Sequence, residues 1–352
     1  MTIPSLHDIQ RNAGAVFEAG CEVPLRYGNN SVAITAARNG VAVCDRSHWG
    51  LIQLSGADRL RYLHNQTTNT LQTRQPGEGC ETVFVTSTAR TMDLATAYCL
   101  EEHLWVLVSP QCRQPLMKWL DRYLFPMDQV TLTDLSPDYS IFSLMGPESD
   151  AIMEKLGAAD AVKQALHHHQ LRELNGVGVR VAQGSGLSDQ GYTLIVPTSE
   201  AQQLWQMLMD LDVVPLGEQV WQHLRILHGR PEPDAELTED YNPLEAGLWQ
   251  TISFDKGCYI GQETIARLNT YKGVKQYLWG LRLSAAVSPG TPITVEGNKI
   301  GILTSYTEME QPPFGLGYVR VKAGGAGLTV QVGEATAEVV EVPFLTHVSM
   351  AK

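Results

Sequence analysis

The residues best placed to do chemistry form one run, Lys256-Gly257-Cys258-Tyr259-Ile260-Gly261-Gln262-Glu263. A thiol with a free pKa of about 8.5 becomes more nucleophilic beside a cation or ahead of a helix N-terminus, because both stabilise the thiolate. Lys256 supplies the cation two residues away, and Gly261 to Arg267 reads as a helix beginning just beyond the sulfur. Gly257 and Gly261 allow backbone turns closed to other residues and keep side chains clear of Cys258. The arrangement suits an exposed, activated thiol on a loop; a buried cysteine in a glycine-rich turn fits the same residues. His167-His168-His169 is the other cluster with ligand chemistry, but neighbours on a chain diverge, and no cysteine or carboxylate stands at metal-ligand spacing, so no metal is expected. No P-loop, dinucleotide-binding glycine motif or serine nucleophile elbow is present.

Three regions must position that run. Residues 1–135 open with a helix over Leu6 to Ala19. A strand at Leu51–Leu54 follows, and Ser55-Gly56-Ala57-Asp58 supplies turn and capping residues before Leu60, Tyr62 and Leu63. Strands at 83–85, 92–100 and 104–108 lead to a helix with Leu116, Leu120, Tyr123 and Leu124 on one face. Residues 136–230 repeat the alternation, with strands at 141–144, 177–181 and 192–196. Helices are expected over Pro147 to Leu156, after a Thr198 cap with Leu204, Trp205, Leu208 and Leu211 on one face, and around Val220, Trp221, Leu224 and Leu227. Residues 231–276 connect these to 277–352, where six short strands separated by Pro-Gly, Gly-Asn, Pro-Pro and Gly-Gly pairs predict a small β-barrel. The fold class is α+β. Trp105, Trp119, Trp205 and Trp221 fall on apolar faces and are assigned to the core.

At 352 residues the chain exceeds what one core serves, which agrees with several units. Apolar content of 43% and charged content of 18% are those of a globular protein. No apolar run approaches the roughly 20 residues that cross a bilayer. Met1 to Asp8 lacks the blocks of a signal peptide, and six cysteines without a C-x-x-C pair read as free thiols, so the expected address is cytoplasmic. A net charge of −12 argues against direct nucleic-acid binding through a broad basic face. The charge is uneven: Pro231 to Asp255 holds seven acidic residues and no Lys or Arg, and a basic stretch begins at Lys256. Taken alone, these read as two solvated surface segments.

The run at 256–263 resembles the signature of YgfZ-type folate-binding proteins, helpers of iron–sulfur enzymes within the aminomethyltransferase clan. Flanking stretches are similar as well. Upstream are Arg225 to Pro231 and Asn242 to Leu248; downstream are Ala266-Arg267 and Lys272 to Lys275. Asp45 to Gly50, Leu54 to Asp58 and Gln66-Thr67-Thr68-Asn69 resemble stretches of glycine-cleavage aminomethyltransferases.

The resemblance implies a cloverleaf of two α+β domains and a C-terminal β-barrel, with tetrahydrofolate or a one-carbon derivative in a central channel. It implies folate and iron–sulfur client proteins, including tRNA-modifying enzymes, as partners, with Cys258 and Lys256 as the reactive pair. Folate needs a carboxylate for the pterin edge and a cation for the glutamate tail. The resemblance assigns Arg225 to folate, with Asp93 and Asp189 as carboxylates and Tyr259 and Gln262 as further contacts. The transferases carry adjacent aspartates where this chain has Asp93 followed by Leu94. One carboxylate of the pair is thus missing, so aminomethyl transfer is the alternative to an accessory role.

Overall fold

The computed structural model describes residues 5–188 and 190–347. Asp189 lies outside the described residues. In chain order the elements begin with α1 (Leu6–Asn12), α2 (Asn30–Asn39), β1 (Ala42–Asp45), β2 (Gly50–Ser55), α3 (Arg59–Gln66), β3 (Gly79–Val85), β4 (Thr91–Cys99) and β5 (His103–Val108). They continue with α4 (Arg113–Arg122), β6 (Thr131–Asp134), β7 (Tyr139–Met145), α5 (Ser149–Lys155), β8 (His169–Leu174), β9 (Val177–Gln183), β10 (Tyr192–Pro197), α6 (Ala201–Asp210), β11 (Val214–Leu216) and α7 (Glu218–His228). The last are α8 (Gln262–Thr270), β12 (Gln276–Leu283), β13 (Pro292–Val295), β14 (Asn298–Thr307), β15 (Phe314–Arg320), β16 (Thr329–Val332) and β17 (Ala335–Val340).

These elements fall into two compact units. The first comprises Met1–Arg59, Arg74–Cys80 and Thr96–Gln222; the second comprises Leu60–Thr73, Glu81–Ala95 and His223–Lys352. The six-stranded sheet of the first unit runs β11-β1-β7-β10-β9-β8. β1 pairs parallel with β11 and antiparallel with β7, so a strand from residues 42–45 sits inside the sheet built by residues 139–216. The sequence pattern concealed it, because all four of its residues are buried and show no alternation. Helix α6 buries Leu204, Trp205 and Leu208 against Phe142, Leu194 and Val213, the face its spacing predicted. Its N-cap is Glu200 with no side-chain capping bond, so the Thr198 cap is corrected. A five-stranded sheet runs β3-β4-β5-β2-β6, its chain entering the second unit within β3 at Glu81 and leaving within β4 at Thr96.

The first helix is shorter than expected. A reciprocal Ser5–Asp8 capping box starts it, and it stops at Asn12, ahead of Gly14 with φ +93°. Helix α2 was not legible, because it buries only Ala33 and Ile34, too few to print a period.

Six strands of the second unit close into the expected barrel, β12-β15-β14-β13-β16-β17. Trp279, Leu281 and Leu283 of β12 enter its core with Leu303, Val319 and Val339, and the intervening Arg282 is exposed. Closure depends on small residues in β15: a Cβ at Gly317 would stand 2.8 Å from the Ile302 carbonyl oxygen. No described helix is long and apolar enough to cross a membrane.

Candidate functional site

The 256–263 run lies wholly in the second unit, after the short helical turn Trp249–Thr251, and its last two residues open α8. Backbone bonds fasten it to residues 65–68: Ser253 donates to the Thr68 carbonyl at 3.0 Å, and Ile260 to that of Asn65 at 3.1 Å. The Thr68 hydroxyl donates to the Thr251 carbonyl at 2.8 Å. Lys256, only 9% exposed, turns inward. Its ammonium donates to the carbonyl oxygens of His64 at 2.5 Å, Thr67 at 2.7 Å and Asn69 at 2.7 Å. It also lies 4.7 Å from the Tyr259 ring centroid, where the aromatic face attracts it. Three donors meeting three carbonyls make this lysine a clasp. Its protons are engaged by the backbone carbonyls of residues 64–69.

The rest of the run holds the same turn. Gln262 Nε2 reaches back to the carbonyls of Lys256 at 3.4 Å and Gly257 at 3.3 Å. Tyr259 is buried with Ala89, Leu244, Ile252 and Ile265, and burial pushes its phenol up to about 12. Tyr259 and Gln262, expected as folate contacts, both make these contacts within the loop. Gly261 caps α8 at φ +80°, and a Cβ there would stand 2.8 Å from the Thr86 carbonyl oxygen, so glycine is required. Gly257 meets nothing within 4 Å. Among these inward-turned groups Cys258 is exposed, beside an exposed Gly257. The buried-cysteine reading is excluded.

His64 stabilises the receiving segment. Its Nδ1 accepts from the backbone N–H groups of Leu71 at 3.2 Å and Gln72 at 3.4 Å. Burial and then the Lys256 charge push its pKa down to about 4, so the ring is neutral at pH 7 and remains an acceptor.

Arg225 on α7 belongs to a second cluster. Its guanidinium donates to Glu236 Oε2 at 3.1 Å, Glu232 Oε1 at 2.6 Å and Ser305 Oγ at 2.9 Å. Glu236 is fully buried, and its other oxygen accepts from Thr304 and Ser305, both at 2.6 Å. The guanidinium, expected to hold folate, is thus engaged by two carboxylates. The acidic stretch 231–255 is not a solvated segment either, since Glu236 and Glu245 are buried. Asp93 on β4 is fully buried, and its successor Leu94 faces the other way, into a cluster with Val83, Val85, Leu237, Ala246 and Leu248.

The receiving segment 64–69 and the carboxylate Glu236 escaped sequence reasoning. The signals were present in Gln66-Thr67-Thr68-Asn69 and in acidic residues seven and eleven positions after Arg225, but neither pattern reveals its partner. The histidine triplet diverges: His167 adopts φ +64°, while His169 is buried with Nδ1 3.0 Å from Arg180. Among the described residues no His, Cys, Asp or Glu cluster could hold a metal ion.

Comparison with known proteins places these features. The GCVT N-terminal domain model matches residues 6–256, and the chain belongs to that family. It is 44% identical over 345 residues to "Putative transferase At1g60990, chloroplastic" of Arabidopsis thaliana, covering 97% of this chain and 79% of the relative. It is 27% identical over 355 residues to an aminomethyltransferase of Halothermothrix orenii, covering 97% and 99% respectively. The crystal structure of glycine cleavage system aminomethyltransferase T from Bartonella henselae superposes with a TM-score of 0.84 at 21% identity, covering 97% of each chain. The fold is aminomethyltransferase-like, with mixed α/β content and a closed six-stranded barrel.

Proposed function

We propose that this chain is a cytoplasmic folate-binding accessory protein that supports assembly or repair of iron–sulfur enzymes, tRNA-modifying ones included, through the thiol of Cys258. The observation that carries the reading is the contrast within one loop: Lys256, Tyr259, Gly261 and Gln262 hold the backbone, and Cys258 stands exposed. A loop fixed on both sides of its sulfur presents that thiol in one orientation, which suits engagement of a client protein. Kinship to the aminomethyltransferases supports a reduced folate, tetrahydrofolate or a one-carbon derivative, as the small-molecule partner. Of the residues expected to hold it, Asp93 keeps the carboxylate that a pterin edge requires, whereas Arg225 is engaged by Glu232 and Glu236.

The alternative, a glycine-cleavage aminomethyltransferase, is disfavoured at Leu94. The position after Asp93 is filled by a leucine packed among aliphatic side chains, where a second carboxylate would have no hydration.

The test is complementation. A strain lacking this protein regains iron–sulfur enzyme activity with the wild-type chain and fails to with Cys258→Ser; full rescue by Cys258→Ser would defeat the reading. Calorimetric titration with tetrahydrofolate is expected to saturate, and turnover of an aminomethylated carrier protein would restore the transferase alternative.

A further inference from the structure

Strand β9 opens Val177-Gly178-Val179-Arg180-Val181, and its three valines enter the core of the first unit. Arg180 therefore points to the opposite face of the sheet. Directly opposed residues of neighbouring strands share a face. The register sets Arg180 in a row between Leu171 of β8 on one side and Ile195 of β10, then Ile141 of β7, on the other. Ile195 is 1% exposed and Ile141 is fully buried. A guanidinium occupies a position where the row calls for an aliphatic side chain.

Its surroundings fix this cation without neutralising it. Nη1 donates to His169 Nδ1 at 3.0 Å, and Cζ stands 5.1 Å from the Trp105 ring centroid. His169 is buried and meets Tyr98 edge-on at 5.3 Å. Burial and then the Arg180 charge push the histidine pKa down to about 4, so its ring is a neutral acceptor. Trp105 is held in turn by a bond to Gln53 Oε1 at 3.0 Å and by the Tyr139 ring at 4.9 Å. Arg180 Nε is buried without a hydrogen-bond partner. Arg113, Arg172, Arg225, Arg230 and Arg282 each meet a carboxylate oxygen, whereas among the described residues no Asp or Glu pairs with Arg180. Besides burial, the group that acts on its charge is the Tyr139 phenol. A half-buried cation in an apolar row is costly to keep unless an anion answers it.

The sheet edge supplies the way in. Strand β8 ends the sheet, and Leu171, directly opposed to Arg180, is 60% exposed.

We infer that Arg180 anchors an organic carboxylate with an apolar body, which enters at the β8 edge, meets the guanidinium with its oxygens and rests its body against Leu171. The planar guanidinium fork matches a carboxylate. An inorganic anion answers the charge and leaves Leu171 bare; a neutral ligand covers Leu171 and leaves the charge. The site uses neither Cys258 nor any residue of the second unit, so it stands or falls independently of the proposed function.

The experiment is calorimetric titration of the full chain with benzoate, with benzamide, which keeps the body without the charge, and with inorganic phosphate, which keeps the charge without the body. Saturable binding of benzoate at one site is expected, with both other probes at least tenfold weaker. The His169 pKa, followed by NMR of its ring, should rise from about 4 on saturation, because a bound carboxylate offsets the Arg180 charge that depresses it. Arg180→Gln should weaken benzoate at least tenfold. Leu171→Glu, at an exposed position, places a tethered carboxylate opposite Arg180 and should weaken benzoate as much, whether or not Arg180→Gln folds. Absence of saturable benzoate binding overturns the proposal. So does benzamide or phosphate binding as tightly as benzoate, an unmoved His169 pKa, or undiminished binding by Leu171→Glu.

Discussion

At the scale of single residues, the run around Cys258 separates holding from presenting. Lys256 brings one ammonium to three backbone carbonyls, and hydrogen bonds to a charged group contribute about 1.5–3 kcal/mol each. Lys256→Ala leaves those acceptors without their donor and should lower unfolding free energy by about 3 kcal/mol in denaturant titration. A variant as stable as wild type would show that the clasp contributes nothing. Gly261 makes a different demand, since its φ of +80° and its approach to Thr86 both exclude a side chain. Gly261→Ala should cost roughly 1–3 kcal/mol from backbone strain and increase the protease sensitivity of the 256–263 loop. Gly257, with open space around it, should accept alanine with little effect on stability; a large loss there would contradict the geometry.

At the scale of elements, the barrel is attached to the connecting segment through one buried carboxylate. Glu236 accepts from Thr304 and Ser305 of β14, its backbone carbonyl accepts from the Tyr318 hydroxyl of β15 at 2.8 Å, and Tyr241 stacks on Tyr318 at 3.5 Å. Arg225 neutralises it from α7. Breaking a buried pair from one side strands the other charge, a loss of about 3–5 kcal/mol. Arg225→Ala should therefore destabilise the fold by that order, whereas Arg225→Met with Glu236→Gln should recover part of the loss; equal loss in both would point to packing alone. The barrel itself was legible, because six short strands with turn residues between them print period two and clear punctuation. The carboxylate that fastens it was not. A charged residue within an acidic stretch reads as solvated until a distant arginine and two hydroxyls are seen to meet it.

At the scale of the whole molecule, legibility followed how locally each feature is encoded. Helix faces such as Leu204, Trp205 and Leu208 repeat within one element, and the spacing alone exposes them. The clasp joins Lys256 to residues 64–69, almost two hundred positions earlier, and no local pattern carries such a contact. The histidines behave likewise: their sequence positions say nothing, yet burial lowers three of them to about 4. For His48 the next cause is Arg46, for His64 it is Lys256, and for His169 it is Arg180. His48 and His169 belong to the first unit and His64 to the second, so both units carry the same liability. A histidine with a folded pKa near 4 and an unfolded value near 6.5 binds its proton first in the unfolded chain. Its contribution is complete above about pH 6.5 and is lost as pH falls through the folded value, at no more than about 1.4 kcal/mol per pH unit for each proton. The raised pKa values of Asp45 and Glu245 act in the opposite sense, because those carboxyls take up protons first in the folded chain. His347 is lowered as well, so with four histidines against two carboxyls the melting temperature should fall between pH 6.5 and pH 4. Replacing His48, His64 and His169 together by asparagine, which keeps an acceptor and cannot be charged, should flatten that fall or reverse it. A triple variant that tracks the wild-type profile across the window would show that these rings are already protonated in the folded protein.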